Sequence, residues 1–308
     1  MFMSRPRFIA ALGLGLAAFL AMAAAPAGPL APPPTRDWVK ILFEAMKAPV
    51  PPRRLVGDIY YVGASGVSSF LITTPAGHIL LDTGFEDTVP LIQRSVALLG
   101  FKLEDIRIIL SSHAHVDHVG GHALMKKLTG ARVFASAADA QVLASGGLDD
   151  FLPFPRDTKV YAPVAVDQIV ADGEQITLGG VTLTAHLTPG HTRGATTWSM
   201  DVSEAGRTYH VVFFCSLTIN PGVRLLRNAS YPGIAQDYET AFARLKALPC
   251  DIFFGPHPIQ FGMADKFARM DRGEGVEALV DPAGWHNLLA VSEKAYRDQL
   301  AAEKAAAP

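Results

Sequence analysis

The chain has 308 residues, 49% of them hydrophobic and 18% charged, a composition that belongs to a folded globular protein and excludes a disordered or fibrous one. Its net charge is -2 at pH 7 and its Lys and Arg residues are scattered, so nothing marks a nucleic-acid or anionic-membrane surface. A small neutral or anionic substrate is the expectation.

The sequence opens on Met-Phe-Met-Ser-Arg-Pro-Arg, followed by an apolar run from Phe8 to Ala25 and then Pro26-Ala27-Gly28. A basic start, a short apolar stretch and small residues at its exit form the signature of a secretory signal peptide. The run is marginal for the roughly 20 residues a spanning helix needs. We therefore expect residues 1–27 to be a cleaved leader, with cleavage open between Ala23 and Ala27, and residues 28–308 to form a single domain that keeps no membrane segment. Residues 28–37 are rich in Pro, Ala and Gly and read as a lead-in, so the fold proper is expected to begin near Trp38.

Strand-like runs separated by tight turns follow from Asp58: 59–62, 69–72, a Pro75-Ala76-Gly77 turn, and 78–82, read as consecutive strands of a meander. Val89, Ile92, Val96 and Leu99 recur at helical spacing and predict a helix over 87–99, closed by Gly100. A buried strand is expected at 106–110, a helix from about Gly120 to Leu128, a strand at 132–135 and a helix after Ala137. The irregular segment 146–163 carries Phe151 and Phe154 among Gly, Asp and Pro, the composition of a loop able to lie over a site. Strands are predicted at 175–178, 181–187, 196–200 and 209–214, then a helix at 236–248, a short strand at 252–254 and a C-terminal helix from 281 to about 304. Two runs of strands, each followed by helices, imply two similar halves packed sheet against sheet.

The strongest chemical signal is Ser112-His113-Ala114-His115-Val116-Asp117-His118. Three imidazoles and a carboxylate at the end of a buried strand repel one another and lose water together, and a bound cation offsets both costs. On extended backbone His113 and His115 point the same way. The turn into the next helix lets Asp117 and His118 address a second position. His191, in Thr188-Pro189-Gly190-His191-Thr192, and His257, in Gly255-Pro256-His257-Pro258, each follow a strand inside a Gly/Pro turn. These six residues divide into two zinc sites: His113, His115 and His191 in one, Asp117, His118 and His257 in the other, each with a position left for water. Asp82, ending the strand Leu80-Leu81-Asp82, is expected to hold a ligand imidazole by its other nitrogen. The isolated histidines His78, His122, His186, His210 and His286 are expected to serve as core or surface residues. A purely structural metal site would be closed by four ligands and rich in cysteine, which these sets are not. Cys215 and Cys250 could pair in an exported protein, but spacing alone leaves that open.

With these motifs the chain resembles the metallo-β-lactamase superfamily, whose His-x-His-x-Asp-His motif matches His113, His115, Asp117 and His118, with Leu80 to Gly84, Thr188 to Thr192 and Gly255 to Pro258 in support. The resemblance implies an α/β fold, the four-layer αβ/βα sandwich, holding two Zn2+ ions. Within the superfamily, thioesterase-like and lactonase-like members usually place a metal-bridging Asp near the strand ending at Phe214. Between His191 and Asp237 this chain has only Asp201. The run Cys215-Ser216-Leu217-Thr218 resembles the third subclass of the zinc β-lactamases, as do Val67 to Ile72, Ala195 to Trp198 and Tyr231-Pro232-Gly233. That subclass implies Ser216 facing the metals and Cys215 the core, Ser216 and Thr218 near a substrate carboxylate, and the 146–163 loop near the substrate's side chains. Arg193 stands where the family often has Pro, which would alter loop stiffness or add a cation beside the site. The implied activity is hydrolysis of the amide of a small-molecule β-lactam antibiotic by a metal-bound hydroxide oriented by Asp117, conferring resistance, in a periplasmic monomer. The alternative is a lactone or thioester hydrolase using the same zinc pair.

Overall fold

The computed structural model describes residues 36–152 and 159–306, so the expected leader, most of the lead-in and Phe154 lie outside the described residues. Seven strands form the first sheet in simple chain order: β1 (Arg53–Val56), β2 (Ile59–Tyr61), β3 (Phe70–Thr74), β4 (Gly77–Leu81), β5 (Ile106–Leu110), β6 (Arg132–Ser136) and β7 (Gln168–Val170). The first four pair antiparallel as a meander, and from β4 onward the strands run parallel. The second sheet holds β8 (Gln175–Leu178), β9 (Val181–Leu187), β10 (Thr196–Glu204), β11 (Arg207–Phe213) and β12 (Ile252–Phe254), with β12 parallel to β11 and the other pairs antiparallel.

The mostly apolar text of β3 to β6 has a direct cause. Side chains alternate between faces along a strand, and here both faces are covered. Phe70, Ile72, Ile79, Leu81, Ile108, Leu110 and Phe134 point into the cluster shared with Trp198, Val211, Phe213 and Phe254 of the second sheet. Their neighbours Leu71, Leu80, Ile109, Val133 and Ala135 point the other way, against Val89, Ile92, Val96 and Met125. Those last residues lie on α2 (Val89–Leu98) and α4 (His122–Thr129), which with α5 (Ala137–Ser145) flank the first sheet. On the far side α6 (Ile234–Ala247) and α8 (Pro282–Ala305) cover the second sheet through Tyr238, Phe242, Trp285, Leu289 and Tyr296. The result is helix, sheet, sheet, helix, the four-layer αβ/βα sandwich.

Sequence reading set several boundaries too wide or missed an element. The stretch read as a helix from 87 begins as a single 3-10 turn, Glu86–Thr88, before α2, where Pro90 occupies the first turn. Strand β10 runs four residues past the expected end at Met200, because its last residues, Asp201 to Glu204, carry a single buried apolar residue, Val202, among polar ones. The edge strands β1 and β7 and the helix α7 (Met263–Arg269) are short and carry little signal, while the helix α1 (Arg36–Met46) lies where no element was expected although Val39, Leu42, Phe43 and Met46 recur at helical spacing. The short helix α3 (Val116–Val119) follows His115 directly. Among the described residues, no helix is long and apolar enough to cross a membrane, and Cys215 and Cys250 are free thiols.

Candidate metal centre

The segments that leave the C-terminal ends of β4, β5, β9, β11 and β12 meet at one rim of the sandwich. Asp82 follows β4, His113 to His118 follow β5 and open α3, His191 follows β9, Cys215 to Thr218 follow β11, and His257 follows β12. Backbone hydrogen bonds cross between halves at this rim: Thr196 N donates to Ser112 O (2.8 Å), and Ser68 N donates to Pro256 O (2.8 Å). Residues 84 and 188 positions apart thereby meet at one rim.

Two sets of donors come together there. One atom each from His113, His115 and His191, and separately from Asp117, His118 and His257, lie within 4.8 Å of one another. The imidazole rings of His113 and His118 are 4.3 Å apart between centroids, so the two threes adjoin.

The outer nitrogens of most of these rings are already occupied. His191 Nδ1 donates to the carbonyl of Thr218 (2.6 Å) and His257 Nδ1 to the carbonyl of Gly66 (2.9 Å). His113 Nδ1 lies 3.0 Å from Ser112 Oγ, which itself donates to Asp82 Oδ2 (2.6 Å), so the hydroxyl accepts from the ring. Each arrangement fixes the tautomer and leaves Nε2 with a lone pair. Asp82 also accepts from Ser112 N (2.7 Å) and stands 3.5 Å from His118 Nδ1, which places it behind two ligand rings. It does so from a left-handed backbone (φ 59°), uncommon for a residue other than glycine and typical of strain held at a functional site. His115 differs: its Nε2 is 3.5 Å from Asp150 Oδ2, in the segment expected to lie over the site.

Electrostatics separate the two threes. Burial, reinforced by neighbouring imidazoles, holds His113 well below its ordinary value and lowers His115 to about 4 and His191 to about 3, so all three are neutral donors at neutral pH. Burial also works against charge on His118, yet Asp117 at 3.3 Å and Asp82 outweigh it and raise that imidazole. Asp117 is correspondingly held far below the carboxylate range by His118 and His257 despite its burial.

The donor set fits a metal. His113 Nε2 is buried without a hydrogen-bond partner, an arrangement that costs about 1–3 kcal/mol, while His115 Nε2 and the two nitrogens of His118 face only carboxylate oxygens at 3.3–3.5 Å. Imidazole and carboxylate donors in threes, with no fourth side chain among the described residues closing either set, match zinc with room for water. Burial pushes the Cys215 thiol well up, so it stays protonated, and its Sγ lies 3.5 Å from His113 Nδ1, behind the ring. It backs a ligand rather than joining a set.

Ser216 is buried beside this floor, with its Oγ 3.2 Å from Thr218 Oγ1. The contact most visible at Thr218 is through its backbone, since its carbonyl accepts from both His191 and Tyr238 Oη (2.9 Å). Arg193 reaches across to the carbonyl of Ser230 and lies over the Tyr231 ring (5.1 Å), while Phe151 packs on the same ring (4.9 Å). A cavity of about 30 Å3 flanks the first three, walled in part by Ala114, Asp139, Asp150, Thr192 and Arg193. Of the histidines expected to be structural, His122 is held between Thr83 and Ser111 hydroxyls (2.8 and 2.9 Å), and none joins either donor set. The residues that sequence reading did not single out, Gly66, Asp139, Asp150 and Tyr238, act across long chain separations and carry no local motif.

Fold and donor set together define a two-metal hydrolase, and the family model described as the metallo-beta-lactamase superfamily matches residues 62–257. The chain belongs to that superfamily. Among solved structures it is similar to a metallo-β-lactamase of Cronobacter sakazakii described by a HARLDQ motif, at 44% identity and TM-score 0.81, over 86% of this chain and 99% of that one. It is similar also to BJP-1, a subclass B3 metallo-β-lactamase of Bradyrhizobium japonicum, at 38% identity and TM-score 0.78, over 85% and 97%. A hydroxyacylglutathione hydrolase of Pseudomonas putida is 32% identical over 154 residues, 48% of this chain, and the match spans only 44% of that relative's length.

Proposed function

We propose that this chain is a zinc-dependent β-lactamase of the third subclass, a periplasmic monomer that hydrolyses the ring amide of β-lactam antibiotics and so confers resistance. The observation that carries the reading is the pairing of two adjoining three-donor sets with the run Cys215-Ser216-Leu217-Thr218 beside them. Likeness to β-lactamase structures over more than four-fifths of the chain supports it. Where the Cronobacter motif reads His-Ala-Arg-Leu-Asp-Gln, this chain reads His113-Ala114-His115-Val116-Asp117-His118, with imidazoles in place of Arg and Gln. The alternative, a thioester or lactone hydrolase, would look to a bridging Asp after β11. Asp201 does not supply one, since it is exposed on β10 and paired with His210 (2.7 Å).

His113, His115 and His191 would hold one zinc and Asp117, His118 and His257 the other. Bound there, zinc supplies a water acidified to a pKa of about 7 and a Lewis acid for the ring carbonyl. Asp117, ionised at neutral pH, would orient the attacking water and accept its hydrogen bond. Ser216 and Thr218 offer hydroxyl donors to the substrate carboxylate, and Asp82, through Ser112, keeps His113 in the tautomer that ligation needs.

The test is carbapenem hydrolysis by the mature chain with zinc, after chelation, and after zinc is returned. Turnover that disappears and returns supports the proposal. A chain that binds two zinc ions, ignores every β-lactam and cleaves thioesters or lactones refutes it. Export is tested separately by the N-terminal sequence of the chain recovered from the periplasm, expected to begin after Ala23 or Ala27.

A further inference from the structure

The three imidazoles of the first set ride on two loops, 113–115 after β5 and 190–194 after β9, and something must fix the distance between those loops. Asp139, in the first turn of α5, is only 2% exposed and lies between them. Its Oδ1 accepts from Thr192 Oγ1 (3.2 Å), and the backbone amides of Ala114 and Gly194 lie close enough to favour its ionised form. Ala114 separates His113 from His115, and Thr192 adjoins His191. One carboxyl thus lies against a residue next to each of the three ligands.

The grip is reinforced by Ser136, the N-cap of α5. Its hydroxyl donates to the carbonyl of Gly194 (2.8 Å) and accepts from Asp139 N (3.3 Å), so Gly194 is tied to the first turn of α5. A Cβ at position 194 would stand 2.2 Å from Ser136 Oγ and 2.4 Å from Asp139 Cγ, leaving room for glycine alone. Close approach of this kind is what glycine permits.

Burying a carboxyl here is costly, since a buried polar group needs full hydrogen bonding and Asp139 Oδ2 has no hydrogen-bond partner. Burial and the nearby Asp150 push this carboxyl up to about 7. An apolar side chain would fill the space at lower cost to stability, so the carboxyl is explained by what it holds.

We propose that Asp139 is a positioning residue for the first metal site, bracing the 113–115 and 190–194 loops at the separation where His113, His115 and His191 converge. The inference rests on the two-metal reading. It concerns this brace alone and not the reaction.

The experiment uses a His257→Ala background, in which the second set is incomplete, and measures zinc affinity by competition with a chromophoric chelator. Asp139→Ala should weaken zinc binding about 10- to 100-fold, the usual cost of losing a group that orients ligands. Asp139→Asn, which keeps an acceptor oxygen, should recover most of that loss, and cobalt bound to the alanine variant should show an altered visible spectrum. Thr192→Val removes one donor without emptying the site and should cost less, in the same direction. It decides the matter if Asp139→Ala does not fold. Unchanged affinity in the folded variants overturns the brace. A parent chain that binds no zinc overturns instead the two-metal reading on which it rests.

Discussion

The two donor sets adjoin, yet they solve the burial of polar groups in opposite ways. The first, His113, His115 and His191, holds three neutral imidazoles whose pKa values burial depresses. The second contains its own counter-charge, because Asp117 and His118 stabilise each other as an ion pair 3.3 Å long, with Asp82 behind. The first is organised from outside, by the Thr218 carbonyl, Ser112 and Asp139. The second is half organised from within. A metal therefore adds charge to a neutral set in one case and replaces a proton in the other, since the His118 proton must leave before that ring can ligate.

The largest expected effect follows from that difference. In the metal-free chain Asp117→Ala strands a buried imidazolium, and breaking a buried pair costs about 3–5 kcal/mol. His191→Ala removes a neutral ring held by a single carbonyl and should cost clearly less. Urea unfolding with chelator present compares them, and equal costs would erase the distinction. With zinc present both variants should lose β-lactam turnover by orders of magnitude.

Acid provides a second, smaller lever. His115 and His191 have folded pKa values of about 4 and 3 against an unfolded value near 6.5, so between about pH 6.5 and 4 the unfolded chain binds more protons than the folded one. These groups make the metal-free chain less stable as pH falls through that window, and His122, also near 4, adds in the same sense, whereas Asp139, raised to about 7, opposes them because the folded chain takes up that proton first. His118, whose pKa is raised, works oppositely: its contribution is complete below about pH 6.5 and is lost as pH rises through its folded value. Chelated protein unfolded by urea at a series of pH values should be weakest at the acid end. A flat profile from pH 7 to 4 would contradict the burial argument for the first set.

The smallest effect sharpens the role of the thiol behind His113. Cys215→Ala empties a small buried volume and should cost about 1 kcal/mol, with zinc stoichiometry unchanged at two. Loss of one zinc would instead make Cys215 a ligand. A comparable probe of the rim away from the metals is Glu303, whose buried carboxylate on α8 accepts from Leu225 N (2.9 Å) and Leu226 N (2.8 Å) in the segment that follows Thr218. Glu303→Ala should cost about 1–3 kcal/mol in unfolding.

Much of this molecule was legible in one dimension. The apolar runs of β3 to β6 announce strands covered on both faces, and crowding His113, His115, Asp117 and His118 into six residues is chemistry that a chain keeps only for a cation. Contiguity is the physical reason: periodicity and donor repulsion act between residues a few positions apart, so they are written locally. The edge strands β1 and β7 left no such mark, being too short for alternation to accumulate. What only the tertiary structure decided are the long-range contacts. That Thr218 serves His191 through its carbonyl, that Cys215 backs His113, and that Asp139 spans two ligand loops depend on strand ends meeting across separate sheets. Nothing in the spacing of those residues along the chain encodes a distance of three ångströms between them; the packing of two sheets on one shared apolar core does.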